Sequence, residues 1–205
     1  VIASIRRPGH EKSLTRFTRE ACALAARAED NPVSLQAALR RYKYRELARL
    51  VAREIALGAS PEMLGREHSR LAQALISAAL WPLWKDLRVR YGAPSSTELL
   101  ANPDGGGRVG QIHGFCVLGL GKLGGEDLNF SSDIDLIYVY REDGQSSGGT
   151  AGPLPNVEFF TKLCERLTQA LSASTADGFC YRVDLNLRPQ GRSGAIVMSF
   201  ASTLS

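Results

Sequence analysis

The chain has 205 residues, 44% of them apolar, and 25 Lys and Arg against 21 Asp and Glu give it a net charge of +4. That length and composition can bury the core of one or two domains, and they point away from a bilayer-spanning protein, because the apolar stretch at 75–84 is short and interrupted. Residues 1–10 are polar and basic, unlike a secretory leader, and Cys22, Cys116, Cys164 and Cys180 are scattered through apolar-patterned segments, as expected of reduced thiols in a cytoplasmic protein.

The charge is unevenly spread. Residues 1–92 hold 17 Lys and Arg against 9 Asp and Glu, whereas residues 93–205 hold 8 against 12. A basic half joined to a mildly acidic half suggests two modules with different partners. Leu14, Phe17, Ala21, Leu24 and Ala25 recur at helical spacing and predict a first helix, which Asn31-Pro32 ends. A second helix is expected over about 34–57, with Leu35, Leu39, Tyr42, Leu47, Leu50 and Val51 facing inward. Gly58 stops it, and Ser60-Pro61-Glu62 supplies the N-cap, first-turn proline and acid that start a third. Leu64, Leu71, Leu75 and Ala78 form its stripe, and Pro82 is expected to kink or end its regular part. These helices predict an antiparallel bundle. Arg40, Arg41, Lys43, Arg45, Arg49 and Arg53 make the second helix basic. They read first as a solvated face and second as a docking surface for a protein. Nucleic acid is not expected, since few aromatics and no binding motif accompany them.

The Gly-, Pro- and Ser-rich stretch at 92–110 marks the boundary between a helical module, 1–95, and a second module, 96–205, which is expected to be truncated on its C-terminal side. Residues 115–120 and 134–140 read as buried strands, and 155–174 as a helix with Phe160, Leu163, Leu167, Ala170 and Leu171 on one face. Over 179–189 the apolar Tyr181, Val183, Leu185 and Leu187 alternate with Arg182, Asp184, Asn186 and Arg188, the period of a long strand. Residues 196–200 suggest a last strand. The class is α+β: a helical bundle followed by a small mixed sheet.

Chemistry concentrates in residues 119–135, where four glycines, Lys122 and two alternate carboxylates share 17 residues. Asp133 and Asp135, one residue apart on a strand, point to the same side, and like charges so placed call for a cation. Mg²⁺ suits them, because it takes hard oxygen ligands. Asp184, on the polar face of the third strand, would complete a three-carboxylate site if the strands are neighbours, of the kind that clamps an in-line phosphoryl displacement. A structural ion pair with Arg182 or Arg188 is its other reading. Glycines that admit phosphate to the backbone, with Lys122, Arg188 and Arg192 as cations, serve the same purpose. The Gly119-Leu-Gly121-Lys-Leu-Gly124 run also matches a dinucleotide fingerprint. That fold needs a helix of several turns before the next strand, and here eight residues containing Gly125, Asn129 and two serines intervene.

Leu120-Gly121-Lys122, ten residues, then Asp133-Ile-Asp135-Leu resembles the signature of DNA polymerase β-like nucleotidyltransferases, although Lys122 stands where a small residue is usual. The wider string from Gly119 to Ile137, with Thr175-Ala-Asp-Gly, residues 182–194 and Leu39-Arg-Arg-Tyr-Lys-Tyr-Arg-Glu-Leu47, resembles bacterial glutamine synthetase adenylyltransferase/adenylyl-removing enzymes over most of 35–200. The Leu-Asn-x-Ser-Ser-Asp-Ile-Asp form resembles the N-terminal, adenylyl-removing module of that family. The resemblance implies a polymerase β-like fold and Mg²⁺-dependent phosphorolysis of the AMP–tyrosine linkage of adenylylated glutamine synthetase, giving ADP and regulating nitrogen assimilation. It implies Asp133, Asp135 and Asp184 as catalytic and metal ligands, and Gly121, Lys122, Ser132, Arg188 and Arg192 as phosphate or nucleotide contacts. Its implied partners are glutamine synthetase, ATP or ADP, phosphate and, in the full-length enzyme, PII-type nitrogen signalling proteins. The alternatives are adenylylation with ATP, or a catalytically incomplete fragment that binds a partner.

Overall fold

The computed structural model describes residues 9–28, 31–95, 112 and 114–203. Three helices come first. In α1 (Leu14–Ala26), Ser13 Oγ accepts from Arg16 N, and Phe17, Ala21 and Ala25 are buried. In α2 (Pro32–Leu57), Asn31 accepts from Val33 N and Ser34 N at one end, and Gly58 closes the other in the left-handed conformation, φ 63°. The third, α3 (Pro61–Tyr91), starts at Ser60 and runs 31 residues straight through Pro82. The helix does not end there: a proline removes one N–H from the ladder, and the buried side chains on either side, Ala79, Leu80 and Trp84, hold the helix in place. None of the described helices is long and apolar enough to cross a membrane.

The sheet follows. β1 (Phe115–Leu120) leads into a one-turn helix, α4 (Gly121–Gly124), and then into β2 (Ile134–Tyr140); after α5 (Asn156–Ser172) come β3 (Val183–Asp184), a 3-10 turn at Gly191–Ser193, β4 (Val197–Ser199) and α6 (Phe200–Thr203). β2 pairs antiparallel with β1, and parallel with β3 at Ile134–Asp135 and with β4 at Tyr138–Tyr140. The fold is therefore α+β, with a small mixed sheet behind a helical bundle. The boundary expected at 96 lies outside the described residues. One apolar core runs from Phe17, Leu39 and Leu75 in the helices to Leu136 and Leu163 beside and within the sheet. At its centre Phe160 stacks on Phe115 and Tyr140, with centroids 5.4 and 5.1 Å away, while Trp84 meets Phe159 edge-on at 5.3 Å.

Two expectations are corrected. The 179–189 strand shrinks to Val183–Asp184, and Leu187 is exposed. Asp184 Oδ1 accepts from Asn186 N at 2.7 Å, a local turn that ends the strand, and β4 occupies the rest of the β2 edge. The basic side of α2 is also not a solvated face. Arg40, Lys43, Arg49 and Arg53 are buried, whereas Arg41 is exposed. Arg40 donates to the carbonyls of Gly178, Gln36, Ala170 and Ala173, and so ties α2 to the end of α5 and the turn after it. Arg49 and Arg53 meet Glu67 of α3, and Arg49 and Lys12 also meet Glu46.

Candidate active site

The β1–β2 pairing sets Leu120 opposite Asp135 and Gly119 opposite Leu136. At Gly121 the chain leaves the sheet with φ +52°, a conformation side chains rarely adopt, and a Cβ there would overlap Asp135 Oδ2. The glycine thus serves both the turn and the carboxylate. α4 closes with Gly125 N donating to Gly121 O and Asp127 N to Lys122 O, both at 2.9 Å, and Leu123 plugs it into the core. Gly121→Ala is expected to cost about 1–2 kcal/mol from the left-handed backbone alone and to displace Asp135. A lower urea midpoint in the variant would show the backbone cost.

On the other edge of β2, Asp135 is in register with Asp184 and Ile134 with Val183. Partners in register on parallel strands project to the same face, so these two carboxylates stand side by side; Asp133 precedes them by one alternation. Asp133 is exposed, and Arg182 Nε donates to its Oδ1 at 2.5 Å while Arg182 Nη2 donates to Ser131 O at 2.7 Å. Asp184 Oδ1 holds Asn186 N. Lys122 is exposed in α4, and Ser132 Oγ donates to Asn129 Oδ1 at 2.5 Å. Arg188 donates to Leu185 O at 2.7 Å and Gly194 O at 3.2 Å, bracing the 185–194 loop. The backbone of Arg192 lies in the 3-10 turn, and its side chain lies outside the described residues.

Two carboxylates abreast on one sheet face are the donor type a hard divalent cation takes. Among the described residues no three His, Cys, Asp or Glu side chains are gathered as a metal site requires; Asp133 faces Arg182 instead.

The loop that carries these groups is anchored by α3, through residues the sequence reading passed over. Gly65 lets the helix approach the Asp127 backbone, where a Cβ would sit 3.2 Å away. Ser69 Oγ donates to Gly65 O at 2.9 Å and accepts from Leu128 N at 3.1 Å. His68 Nδ1 lies 3.1 Å from Leu128 O, and its ring packs against Phe130 and Tyr181. The available signal was small and polar residues at Gly65, His68 and Ser69, with i, i+3, i+4 spacing on a helix face that otherwise buries apolar groups. Burial is the main cause that lowers the His68 pKa from 6.5 to about 4, against the opposing pull of the Leu128 carbonyl.

Because the unfolded chain binds the His68 proton first, the stability this neutral ring contributes is complete above pH 6.5 and declines as pH falls towards 4. Between pH 6.5 and 5 the chain should lose about 2 kcal/mol through this group. Urea midpoints across that range should slope downward in the parent and run nearly level in His68→Gln.

A model of the glutamate-ammonia ligase adenylyltransferase family matches residues 4–205. The chain is 42% identical over 173 residues to the bifunctional glutamine synthetase adenylyltransferase/adenylyl-removing enzyme of Haemophilus ducreyi, covering 84% of this chain and 17% of that protein. It is 39% identical over 186 residues to the protein of the same description from Mannheimia haemolytica, covering 91% and 18%, and 41% identical over 166 residues to that of Burkholderia pseudomallei, covering 81% and 17%. The chain therefore spans under one fifth of the curated relatives it matches. It belongs to the glutamate-ammonia ligase adenylyltransferase family.

Proposed function

We propose that this chain carries the adenylyl-removing chemistry of its family: phosphorolysis of the AMP–tyrosine linkage on adenylylated glutamine synthetase. The observation that supports the reading is the register of Asp135 with Asp184, which sets two carboxylates side by side near the Gly121 turn. An oxygen of inorganic phosphate attacks the AMP phosphorus, the bond to the phenolic oxygen breaks, the phenolate takes a proton to restore tyrosine, and ADP leaves. Asp135 and Asp184 would hold Mg²⁺, joined by Asp133 once it is released from Arg182, and the ion would neutralise the phosphate oxygens as charge shifts between them. Gly121, Lys122 and Ser132 stand on the same loop as phosphate contacts. Arg188 shapes the loop after Asp184, and Arg192 follows in that loop as a further phosphate contact. The regulatory setting in the longer protein, cytoplasmic and answering to PII-type nitrogen signals, belongs to the same proposal.

The direction rests on the Leu128-Asn129-Phe-Ser131-Ser132 lead-in and the Arg-Pro-x-Gly-x-Ser-Gly run from Arg188, which resemble the adenylyl-removing module. Two incubations separate it from its reverse. Adenylylated glutamine synthetase with phosphate and Mg²⁺ should yield ADP, and unmodified glutamine synthetase with ATP and Mg²⁺ should remain unmodified. AMP transfer in the second would assign the opposite activity, and silence in both would leave a partner-binding fragment.

A further inference from the structure

A cavity of about 220 Å³ lies between α2 and the segments that lead into β2 and β3. Its walls include Lys43 from α2, Ser131 and Ser132 just before Asp133, and Tyr181 and Arg182 just before Val183–Asp184. It therefore lies at the starts of both acid-bearing strands. The volume is several times what one water needs.

Lys43 is the unusual member. It is 5% exposed, yet no carboxylate pairs with it among the described residues. Its ammonium stands 4.8 Å from the centre of the Tyr181 ring, 5.0 Å from Tyr44 and 5.1 Å from Phe179. Those ring faces hold the ammonium in place without neutralising it. Burial is the main cause that pushes the Lys43 pKa down; the Cys180 sulfur opposes it, and the cationic Arg182 and Arg40 add to it. Cys180, also on the wall, has its thiol pKa raised to about 11 by burial, so it supplies no anion. The other buried cations of α2 have acceptors: Arg40 has carbonyls, and Arg49 and Arg53 have the Glu67 carboxylate. A buried charge without a counter-ion is costly, and here it borders a cavity wide enough for an anion.

We propose that this cavity is an oxyanion subsite that takes a phosphate-class dianion, with Lys43 as its principal cation and Ser132 and Arg182 at its rim. The proposal deepens the adenylyl-removing reading and rests on it for the role of the anion, either the attacking inorganic phosphate or the phosphoryl group of the nucleotide. The site itself depends on neither turnover nor Mg²⁺.

The test is thermal unfolding of the chain in increasing inorganic phosphate, without divalent cations and with ionic strength balanced by chloride. Phosphate should raise the parent melting temperature saturably. Lys43→Met keeps the apolar stem and removes the charge; it should melt no lower than the parent without ligand and bind phosphate about tenfold or more weakly. Equal phosphate affinity in the two proteins, or no saturable effect in the parent, overturns the proposal. Should Lys43→Met fail to fold, the parent alone decides: phosphate must protect Lys43 from acetic anhydride, read by peptide mass, and unprotected acetylation overturns the site. AMP that displaces phosphate assigns the subsite to the nucleotide, whereas AMP binding alongside it assigns the subsite to the inorganic co-substrate. Intact phosphate binding without ADP formation would count against the reaction and leave the subsite standing.

Discussion

Glu67→Ala is expected to destabilise the chain by about 3–5 kcal/mol, the cost of leaving buried charges without a partner. Glu67 is fully buried in α3, where one carboxylate meets Arg49 and Arg53 of α2 and also accepts from the Lys12 backbone N–H at 2.9 Å. Arg49 retains Glu46 at 2.7 Å, but among the described residues Arg53, already with a buried Nε lacking a partner, keeps no carboxylate. The loss should appear as a lower urea midpoint at neutral pH. A combined Glu67→Met, Arg49→Leu, Arg53→Met replacement removes the charges together and should sit close to the parent, because a well-packed apolar substitute often matches a buried ion cluster. A single variant as stable as the parent would show that the cluster does not hold α2 against α3.

Asp135→Asn should lower turnover by about 10³ or more, several kcal/mol of barrier, with the melting temperature unchanged. Asn is isosteric, and among the described residues no ion pair or hydrogen bond ties the Asp135 carboxylate, whose Oδ2 lies against Gly121. That makes it a cleaner probe than its neighbours. Asp133→Asn also breaks the Arg182 pair, and Asp184→Asn disturbs the acceptor of Asn186 N. Turnover within tenfold of the parent would remove Asp135 from the reaction.

The glycine turn was legible because it rests on a local rule: a sharp exit beside a side chain calls for glycine. The neighbouring of β2 and β3 was conditional in the sequence and is realised in the register of Asp135 with Asp184. The length of β3 was not legible. Alternation from Tyr181 to Arg188 describes a chain that could be a strand, but pairing needs a free edge, and β4 claims Tyr138–Tyr140. Nor was the fate of the basic helix. Whether an arginine is solvated or buried depends on what faces it, and Glu67, Ala170 and Gly178 lie 14 to 138 residues away in the chain. His68 and Ser69 were missed for the same reason, since their partner, Leu128, is reached only through the fold.

The most direct measurement follows the phosphorus. Adenylylated glutamine synthetase is incubated with the chain, Mg²⁺ and radiolabelled inorganic phosphate, and the nucleotide products are separated. Phosphorolysis at the Asp135–Asp184 site predicts that the label enters ADP in step with loss of AMP from the protein, and that Asp135→Asn gives none. Release of AMP with the label still in phosphate, or labelled ADP undiminished in Asp135→Asn, would contradict it.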